Sequence, residues 1–392
     1  MLRARAFHSL NLAHFFDHFV LMILPTAALA GGSDYAGSLS PATWAFAAFA
    51  LATLPAGWLG DRWGPVAMMG LYWFGNRAAC ILTALAPGGW GLAAGLALIG
   101  LFAAIYHPVA TALVMGFQAR AGRALAVNGV WGNLGVAAAT LATAALVTWL
   151  GWRVAFLVPG LVMLALGAHF LTVPATAQTV VAAARRTITS EPGDQLRIVA
   201  FIAVSGLFGG LVFTGATIAL PKLLAERLPD AGLVQIGVIA ALLFAAAAFA
   251  QLPVGRLLDR WGARRLLLSI EGLKAPLLLA LALAPGIASP ALALPVLLLV
   301  FGEIPITAWL LGRYLGERWW SRAYAVQYLL ALGVAAGAVP LIASLHRATG
   351  DQTALFVVLA ASSATILAAV GLVRGARAAP CQAGVPASAH TG

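Results

Sequence analysis

The chain has 392 residues, of which 62% are hydrophobic and only 9% are charged, and its net charge is +11. A typical soluble domain has about 25% charged residues, and a water-exposed surface needs more charge than this chain provides. The composition therefore excludes an ordinary soluble enzyme, a disordered chain and a small disulfide-rich secreted domain. It predicts that lipid surrounds most of the chain.

Twelve apolar segments are long enough to cross a bilayer as helices, because a transmembrane helix needs about 20 apolar residues. In chain order they cover roughly residues 7–30, 41–59, 66–86, 90–114, 124–148, 153–174, 197–225, 232–254, 265–285, 289–311, 323–345 and 353–373. They are too long for β-barrel strands and lack the alternation of such strands. The predicted fold class is an all-α membrane protein with twelve transmembrane helices.

A polar stretch divides the twelve segments into two sets of six. We therefore predict an N-terminal six-helix bundle at 1–174, a linker at 175–196 and a C-terminal six-helix bundle at 197–373. The remaining residues, 374–392, are small and polar and are expected to form a disordered tail. Both the linker and the tail are expected in the cytoplasm.

The distribution of basic residues predicts the orientation of the chain. With a cytoplasmic N-terminus, seventeen Lys and Arg residues fall on the cytoplasmic side, four on the opposite side, and Arg77 and Lys274 within the spans. Cytoplasmic loops of membrane proteins are enriched in these residues, so we expect both termini in the cytoplasm and a bacterial-type inner membrane location. The bias also explains the net charge without nucleic acid, whose binding would call for basic residues interleaved with stacking aromatics.

Two short motifs occur once in each half. The sequence GWLGDRWG at 57–64 returns as GRLLDRWG at 255–262, an offset of 198 residues. The sequence RALAVN at 123–128 returns as RAYAVQ at 322–327, an offset of 199 residues. A parallel repeat of six helices is an architecture of secondary transporters, which bind substrate between the halves near the middle of the bilayer.

These motifs resemble those of the major facilitator superfamily, and the resemblance covers the whole chain apart from the tail. The pattern Gly-x-Leu-x-Asp-Arg-x-Gly, present in both halves, is similar to the signature loop of that superfamily. Tyr106-His107-Pro108, followed by ARAGRA at 119–124 and GNLG at 132–135, looks like the fosmidomycin-resistance type of efflux protein. The resemblance implies a transporter that works by alternating access, with proton coupling and efflux.

The repeated loop provides one set of candidate functional residues. Glycines let helix ends approach closely and let the chain turn sharply, while a carboxylate at a helix end can meet an arginine or a helix N-terminus. We expect such a contact to latch the two halves in one state. The alternative is a tight turn whose arginine sets the orientation. The predicted latch residues are Gly57, Asp61, Arg62, Gly64, Gly255, Asp259, Arg260 and Gly262.

Polar residues inside the spans provide the second set, because intramembrane ionisable residues are costly and tend to be functional. At 100° per residue, four residues of the first span share one arc of about 120°: Asn11, His14, Asp17 and His18. We expect Asp17 to bind the coupling proton and His14 or His18 to share it. The alternative is a fixed Asp–His pair that ties the first span to its neighbours.

Other spans contribute further candidates for the proton and substrate cavity: Arg77, Tyr106, His107, Asn128, Glu303, Thr307 and Gln327. Glu303 has no charged neighbour in its span and is either protonated, paired across helices or functional. His107 precedes Pro108 and could instead bond a freed backbone carbonyl. Asn128 and Gln327 hold matched positions in the repeat, and either substrate contact or interhelical hydrogen bonding would explain them.

One pair of charged residues within the spans is interpreted as structural, and the histidines of the first span allow an alternative function. Glu271 and Lys274 lie at i,i+3 spacing, so we interpret them as a structural pair that neutralises its own charge. His14 and His18, with Asp17 between them, have a spacing that can hold a transition metal. A divalent-metal permease using this cluster is therefore an alternative, as are a proton-coupled importer and a membrane sensor that transports nothing.

The sequence also indicates which activities to exclude. No serine or cysteine accompanies the histidines as a nucleophile, and no phosphate-binding loop is present, so we expect neither an enzyme nor an ATP-driven pump. No catalytic residues, cofactor or resident metal are predicted. The expected partners are a small-molecule substrate, protons and the lipid bilayer, and the chain is expected to act as a monomer.

Overall fold

The computed structural model describes four ranges of the chain: 2–116, 121–172, 192–314 and 317–373. All regular elements in these ranges are helical. Helices are expected in lipid because every backbone donor and acceptor must be satisfied within the segment. Of the predicted linker 175–196, only the last five residues are described, and the predicted tail 374–392 lies outside the described residues.

The first half of the chain forms six spans. Its helices are α1 (Leu2–Ala27), α2 (Tyr35–Leu39), α3 (Ala42–Trp63), α4 (Pro65–Leu85), α5 (Gly89–Ala103), α6 (Tyr106–Gly116), α7 (Ala121–Leu150) and α8 (Trp152–Leu171). A 3₁₀ segment at Ala28–Asp34 joins α1 to α2, so the first span continues to Leu39. Helix α1 itself ends at Ala27, close to the predicted end near residue 30. Gly32 interrupts the helical conformation of the joining segment with φ +58° and ψ −119°. A short break at Ala104 and Ile105 divides the fourth span into α5 and α6.

The second half also forms six spans. Its helices are α9 (Pro192–Val204), α10 (Gly210–Arg227), α11 (Leu233–Ala248), α12 (Gln251–Leu283), α13 (Ala288–Tyr314), α14 (Glu317–Thr349) and α15 (Thr353–Ala369). A π-helical turn at Ser205–Gly209 joins α9 to α10, and a 3₁₀ turn at Val370–Leu372 follows α15. Helix α12 changes direction at Gly262, which separates the eighth span from the ninth.

Eleven helical stretches in the described part of the chain are long and apolar enough to cross a membrane. The remaining span is α4, whose 21 residues suffice in length but whose hydropathy is lowered by Asn76 and Arg77. The prediction of an all-α membrane protein with twelve helices in two sets of six is confirmed.

Helix α7 connects the two halves of the molecule. It packs along α1 in the first half and along α11 in the second. Glycines on α7 allow it to lie close to α1. A Cβ atom at Gly132 would lie 2.6 Å from Nε2 of His14, and one at Gly135 would collide with the backbone oxygen of Phe15. Small residues at such interfaces allow helix backbones to approach. Elsewhere, α3 packs on α14 and α4 on α8, while α12 packs on both α13 and α15.

Candidate functional site

Three histidines lie together between α1 and α6. His14 and His18 project from one face of α1 because they are four residues apart, and His107 lies in the first turn of α6. One ring nitrogen from each lies within 4.8 Å of those from the other two. We call His14, His18 and His107 the histidine cluster. Neutral imidazoles at this separation could hold a divalent transition metal.

Asp17 lies beside this cluster and is fully buried, with 0% of its surface exposed. Its Oδ2 atom lies 3.3 Å from Nε2 of His107. Neither carboxylate oxygen of Asp17 accepts a hydrogen bond from the described residues. An ionised carboxylate buried without donors is strongly unfavourable, so Asp17 needs a proton or another cation when the site is closed.

His14 has a defined orientation. Its Nδ1 atom lies 2.7 Å from the backbone oxygen of Asn128, and its ring stacks on that of Tyr106 with centroids 4.7 Å apart. A carbonyl oxygen only accepts hydrogen bonds, so Nδ1 holds the proton of the ring. The Nε2 atom is then left as a buried acceptor, and no described residue donates to it.

The remaining polar residues around the cluster hydrogen-bond across helices. Nδ2 of Asn128 donates to Oδ1 of Asn11 at 2.9 Å, and the hydroxyl of Tyr106 lies 3.0 Å from Oδ1 of Asn128. Tyr72, which the sequence interpretation did not single out, donates to the backbone oxygen of Ala13 at 2.6 Å. These bonds join α1, α4, α6 and α7 and thereby fix the position of the α1 face.

A cavity of about 440 Å³, which includes the open space at its mouth, lies against Asp17, His18 and His107. The other lining residues come from α1, α3, α10 and α14: Leu21, Met22, Phe46, Phe49, Phe213, Thr214, Thr217 and Ala335. The cavity therefore lies between the two halves. The three lining residues of α10 are uncharged, and the sequence interpretation did not identify them. The repeat could have indicated one of them, because an offset of 199 residues places Phe213 at the position that matches His14.

Glu303 lies elsewhere, in a second polar cluster within the C-terminal half. Nζ of Lys274 lies 2.7 Å from Oε1 of Glu271 and also bonds Oε2 of Glu303. The expected pair of Glu271 and Lys274 is therefore present, and it includes a third member from another helix. We call Glu271, Lys274 and Glu303 the glutamate–lysine triad.

Of the predicted cavity residues, only Asp17, His18 and His107 are among the described residues that line the cavity. Asn11, His14, Tyr106 and Asn128 belong to the polar contacts around the cluster, and three further predicted residues are not brought to the wall. Thr307 is buried in α13, and Oε1 of Gln327 is buried in α14 without a hydrogen-bond partner in the described part. The guanidinium of Arg77 lies 5.9 Å from the ring centroid of Phe74. Its Nε atom has no hydrogen-bond partner among the described residues.

The two copies of the loop motif have matching backbones. Gly64 has φ +86° and ψ 148°, and Gly262 has φ +72° and ψ 158°. Only glycine adopts these angles without strain, so each copy needs its last glycine for the turn. A Cβ atom at Gly57 would lie 3.4 Å from Cβ of Pro108, whereas one at Gly255 would meet nothing within 4 Å.

The charged residues of the motif are exposed where they are described. Asp61, Arg62 and Arg260 point away from the core, and the guanidinium of Arg62 lies 5.7 Å from the ring centroid of Trp58. Asp61 makes no ion pair within the described ranges. The side chain of Asp259 lies outside the described residues, so the latch stays a prediction.

The fold is similar to those of solved membrane transporters. Two crystal structures of a bacterial homologue of the human lysosomal transporter Spinster, both inward-facing, are among the matches. The unoccupied one matches with a TM-score of 0.66, at 14% identity over 95% of each chain. The occupied one matches with a TM-score of 0.67, at 16% identity over 95% of this chain and 94% of that chain. An auto-inhibited peptide transporter of the POT family matches with a TM-score of 0.70, at 17% identity over 95% of this chain and 96% of that chain. At these identities the likeness shows the fold alone, which is that of a multi-pass membrane transporter.

The sequence places the chain in a family. The profile of the Major Facilitator Superfamily matches residues 10–379, and the chain belongs to that superfamily. No curated protein matches the chain. Membership and fold together define a secondary transporter that moves a small molecule across a membrane by alternating access, and not an enzyme.

Proposed function

We propose that this chain is a proton-coupled transporter that exports a small molecule across a bacterial-type inner membrane, with Asp17 as the coupling residue. The observation that supports this most directly is the carboxylate of Asp17, which is buried at the wall of the inter-half cavity and accepts no hydrogen bond from the part of the chain that the structure describes. Such a group can close away from water only after its charge is neutralised.

The neighbouring imidazoles provide a route for the proton. Nε2 of His107 lies 3.3 Å from Asp17, and the rings of His14 and His18 follow with centroids 5.0 Å apart. Histidine exchanges protons in the physiological pH range. When the cavity opens to water on one side, Asp17 releases its proton, and substrate binding to the exposed carboxylate stabilises the open state.

The lining of the cavity favours a small and largely apolar substrate. Three phenylalanines form much of the wall: Phe46, Phe49 and Phe213. The hydroxyls of Thr214 and Thr217, together with Asp17 and His18, would bind one polar or cationic group of the substrate. Export, rather than uptake, is the direction favoured by the resemblance of the YHP and GNLG motifs to efflux proteins.

The same proposal includes the arrangement of the chain. The bundles at 1–174 and 197–373 move against each other, the linker 175–196 and the tail 374–392 are cytoplasmic, and the repeated loops latch the cytoplasmic side. The excess of Lys and Arg in the predicted cytoplasmic segments supports this orientation. The chain works as a monomer, without nucleic acid or any cofactor.

Reconstitution tests the proposal. The purified protein is sealed into liposomes that contain a pH-sensitive dye, a pH gradient is imposed, and small molecules are added one at a time. At least one apolar amine or related compound is expected to dissipate the gradient, with matching movement of solute. If a broad panel that includes divalent metals produces neither proton flux nor solute flux, the proposal is wrong.

A divalent-metal permease is a second candidate, favoured by one observation. His14 donates a hydrogen bond from Nδ1 to the backbone oxygen of Asn128, and its Nε2 has no partner among the described residues. A metal-binding histidine usually donates its other ring N–H in this way. This candidate predicts saturable metal flux into liposomes that is lost in His18→Ala and kept in His8→Ala, where the histidine is exposed. Organic-solute flux without metal flux would exclude it.

A further inference from the structure

The glutamate–lysine triad joins four elements in the interior of the C-terminal half. Glu271 and Lys274 lie on α12 and Glu303 lies on α13. The hydroxyl of Ser363 on α15 donates to Oε2 of Glu271 at 2.7 Å, and that of Ser205 in the π turn donates to Oε1 of Glu303 at 3.2 Å. Each carboxylate oxygen therefore has one donor.

The triad is buried and its charges do not balance. Exposure is 0% for Glu271 and Lys274 and 7% for Glu303. Two carboxylates and one ammonium leave one negative charge, and the described residues place no other charged side chain beside them. An uncompensated charge inside a membrane protein costs several kcal/mol, so the triad is expected to hold one proton.

The two carboxyl groups are also placed to share that proton. Both carboxyl groups bond the same Nζ atom of Lys274, so they lie side by side, and two carboxyl groups can bond each other only when one of them is protonated. Two such groups that share a site cannot both ionise easily, and the proton belongs to the pair rather than to either residue.

The π turn connects the triad to the cavity. π turns inside helices are rare and frequently occur at functional sites, and here the turn presents Ser205 to Glu303. It also packs on α14, since a Cβ atom at Gly206 would lie 3.3 Å from Cβ of Leu330. Helix α10 begins directly after the turn and supplies Phe213, Thr214 and Thr217 to the cavity wall.

We propose that Glu271, Lys274 and Glu303 form a second proton-binding site, which takes up one proton and acts on α10 through Ser205. The role of this site in transport rests on the proposed proton coupling at Asp17. The binding of a proton by the triad is independent of that coupling. Loss of the proton leaves a net negative charge against the Ser205 hydroxyl. The π turn and the start of α10 are then the elements that respond.

Infrared difference spectroscopy with labelled glutamate tests this proposal. The chain has only five glutamates, so ¹³C-carboxyl glutamate, introduced by cell-free synthesis, separates their bands from those of all aspartates. In the full protein in lipid, one glutamic-acid C=O band is expected to remain after exposed carboxyls have ionised. It is expected to vanish in Glu303→Gln and in Glu271→Gln and to stay in Asp17→Asn.

Two further variants complete the test. Glu226→Gln removes a glutamate outside the triad and is expected to leave the band unchanged. Ser205→Ala removes the hydroxyl donor and is expected to shift the frequency of the band, which keeps the proposal testable if the Gln variants fail to fold. A wild-type spectrum without any protonated glutamate band, or a band unaffected by Glu271, Glu303 and Ser205 substitutions, would overturn the proposal. Because the label reports glutamate alone, failure of coupling at Asp17 would leave this result intact.

Discussion

Nδ1 of His14 lies 2.7 Å from the backbone oxygen of Asn128 on the neighbouring helix α7. This contact leaves Nε2 of His14 as a buried acceptor, and neither this atom nor the carboxylate of Asp17, on the same arc of α1, has a hydrogen-bond donor among the described residues. Two acceptors without donors in one buried volume favour a proton or a cation and disfavour an anion. The α1 side of the cavity is therefore suited to proton coupling.

We expect Gly132→Ala to impair transport through His14. A Cβ atom at this position would lie 2.6 Å from Nε2 of His14, so the imidazole must move from its position. Overpacking of this kind costs about 1–3 kcal/mol. The initial rate of substrate flux in liposomes is the measurement, with Gly70→Ala as the control because a Cβ atom there meets nothing within 4 Å. Equal rates in both variants would show that the position of His14 does not matter.

The hydrogen bonds of Asn128 are expected to stabilise the N-terminal half. Asn128→Ala leaves Asn11 and Tyr106 without this partner, and an unsatisfied buried polar group costs about 1–3 kcal/mol. The thermal midpoint of the detergent-solubilised protein is therefore expected to fall. Asn133→Ala is the matched control on the same helix, because Nδ2 of Asn133 has no described hydrogen-bond partner. A drop as large in the control would contradict the assigned role of the network.

Tyr35 forms a contact between the halves at the end of the first span. Its ring centroid lies 5.1 Å from that of His346 on α14, and Nζ of Lys222 on α10 lies 5.2 Å from the same ring. These contacts join the first half to α10 and α14 of the second half. Alternating access requires such a contact to break when the halves separate on that side.

We expect Tyr35→Ala to open this end. The two native cysteines of the chain are first removed by Cys80→Ala and Cys381→Ser. Thr217→Cys then places a single reactive cysteine on the cavity wall, and a membrane-impermeant maleimide is applied to the side opposite the termini. Labelling is expected to rise in Tyr35→Ala, since the cation–π contact and ring packing are lost. Ser33→Ala, an exposed position in the same segment, should leave labelling at the starting level. Unchanged labelling in Tyr35→Ala would show that the contact does not close the cavity.

Lys274 is expected to be far more important for stability than Arg197. Lys274→Met leaves Glu271 and Glu303 without their buried cation, and removal of one partner from a buried ion pair costs about 3–5 kcal/mol. Arg197→Met removes a partly exposed i,i+3 partner of Asp194, where the expected loss is about 0–1 kcal/mol. Thermal midpoints of the two variants measure the contrast. Similar midpoints would argue against the triad as a buried charged unit.

Much of the architecture could be predicted from hydropathy and charge. Runs of about 20 apolar residues specify spans directly, and helical periodicity places Asn11, His14, Asp17 and His18 on one arc. The loop glycines were recognised from the repeat, and their backbone angles explain why glycine is needed there. The additional helical residues up to Leu39 were not predicted, because the glycines and polar residues at 31–34 indicate a turn, and the backbone does leave the helical conformation at Gly32.

Contacts between helices could not be predicted in the same way. Glu303 has no charged neighbour in its own span, and its partner Lys274 lies 29 residues away on another helix. The register between two apolar helices depends on small-residue packing, which leaves no periodic signal. The α10 wall of the cavity escaped notice because Phe213, Thr214 and Thr217 are neither charged nor unusual in a membrane helix.

The central claim is that Asp17 binds the coupling proton, and Asp17→Asn in liposomes tests it most directly. Substrate exchange without a gradient is expected to persist, while substrate-induced proton flux and its pH dependence are lost because asparagine cannot bind or release the proton. Asp230→Asn, an exposed carboxylate, should behave as the wild type. Proton flux in Asp17→Asn with the magnitude and pH dependence of the wild type would contradict the account.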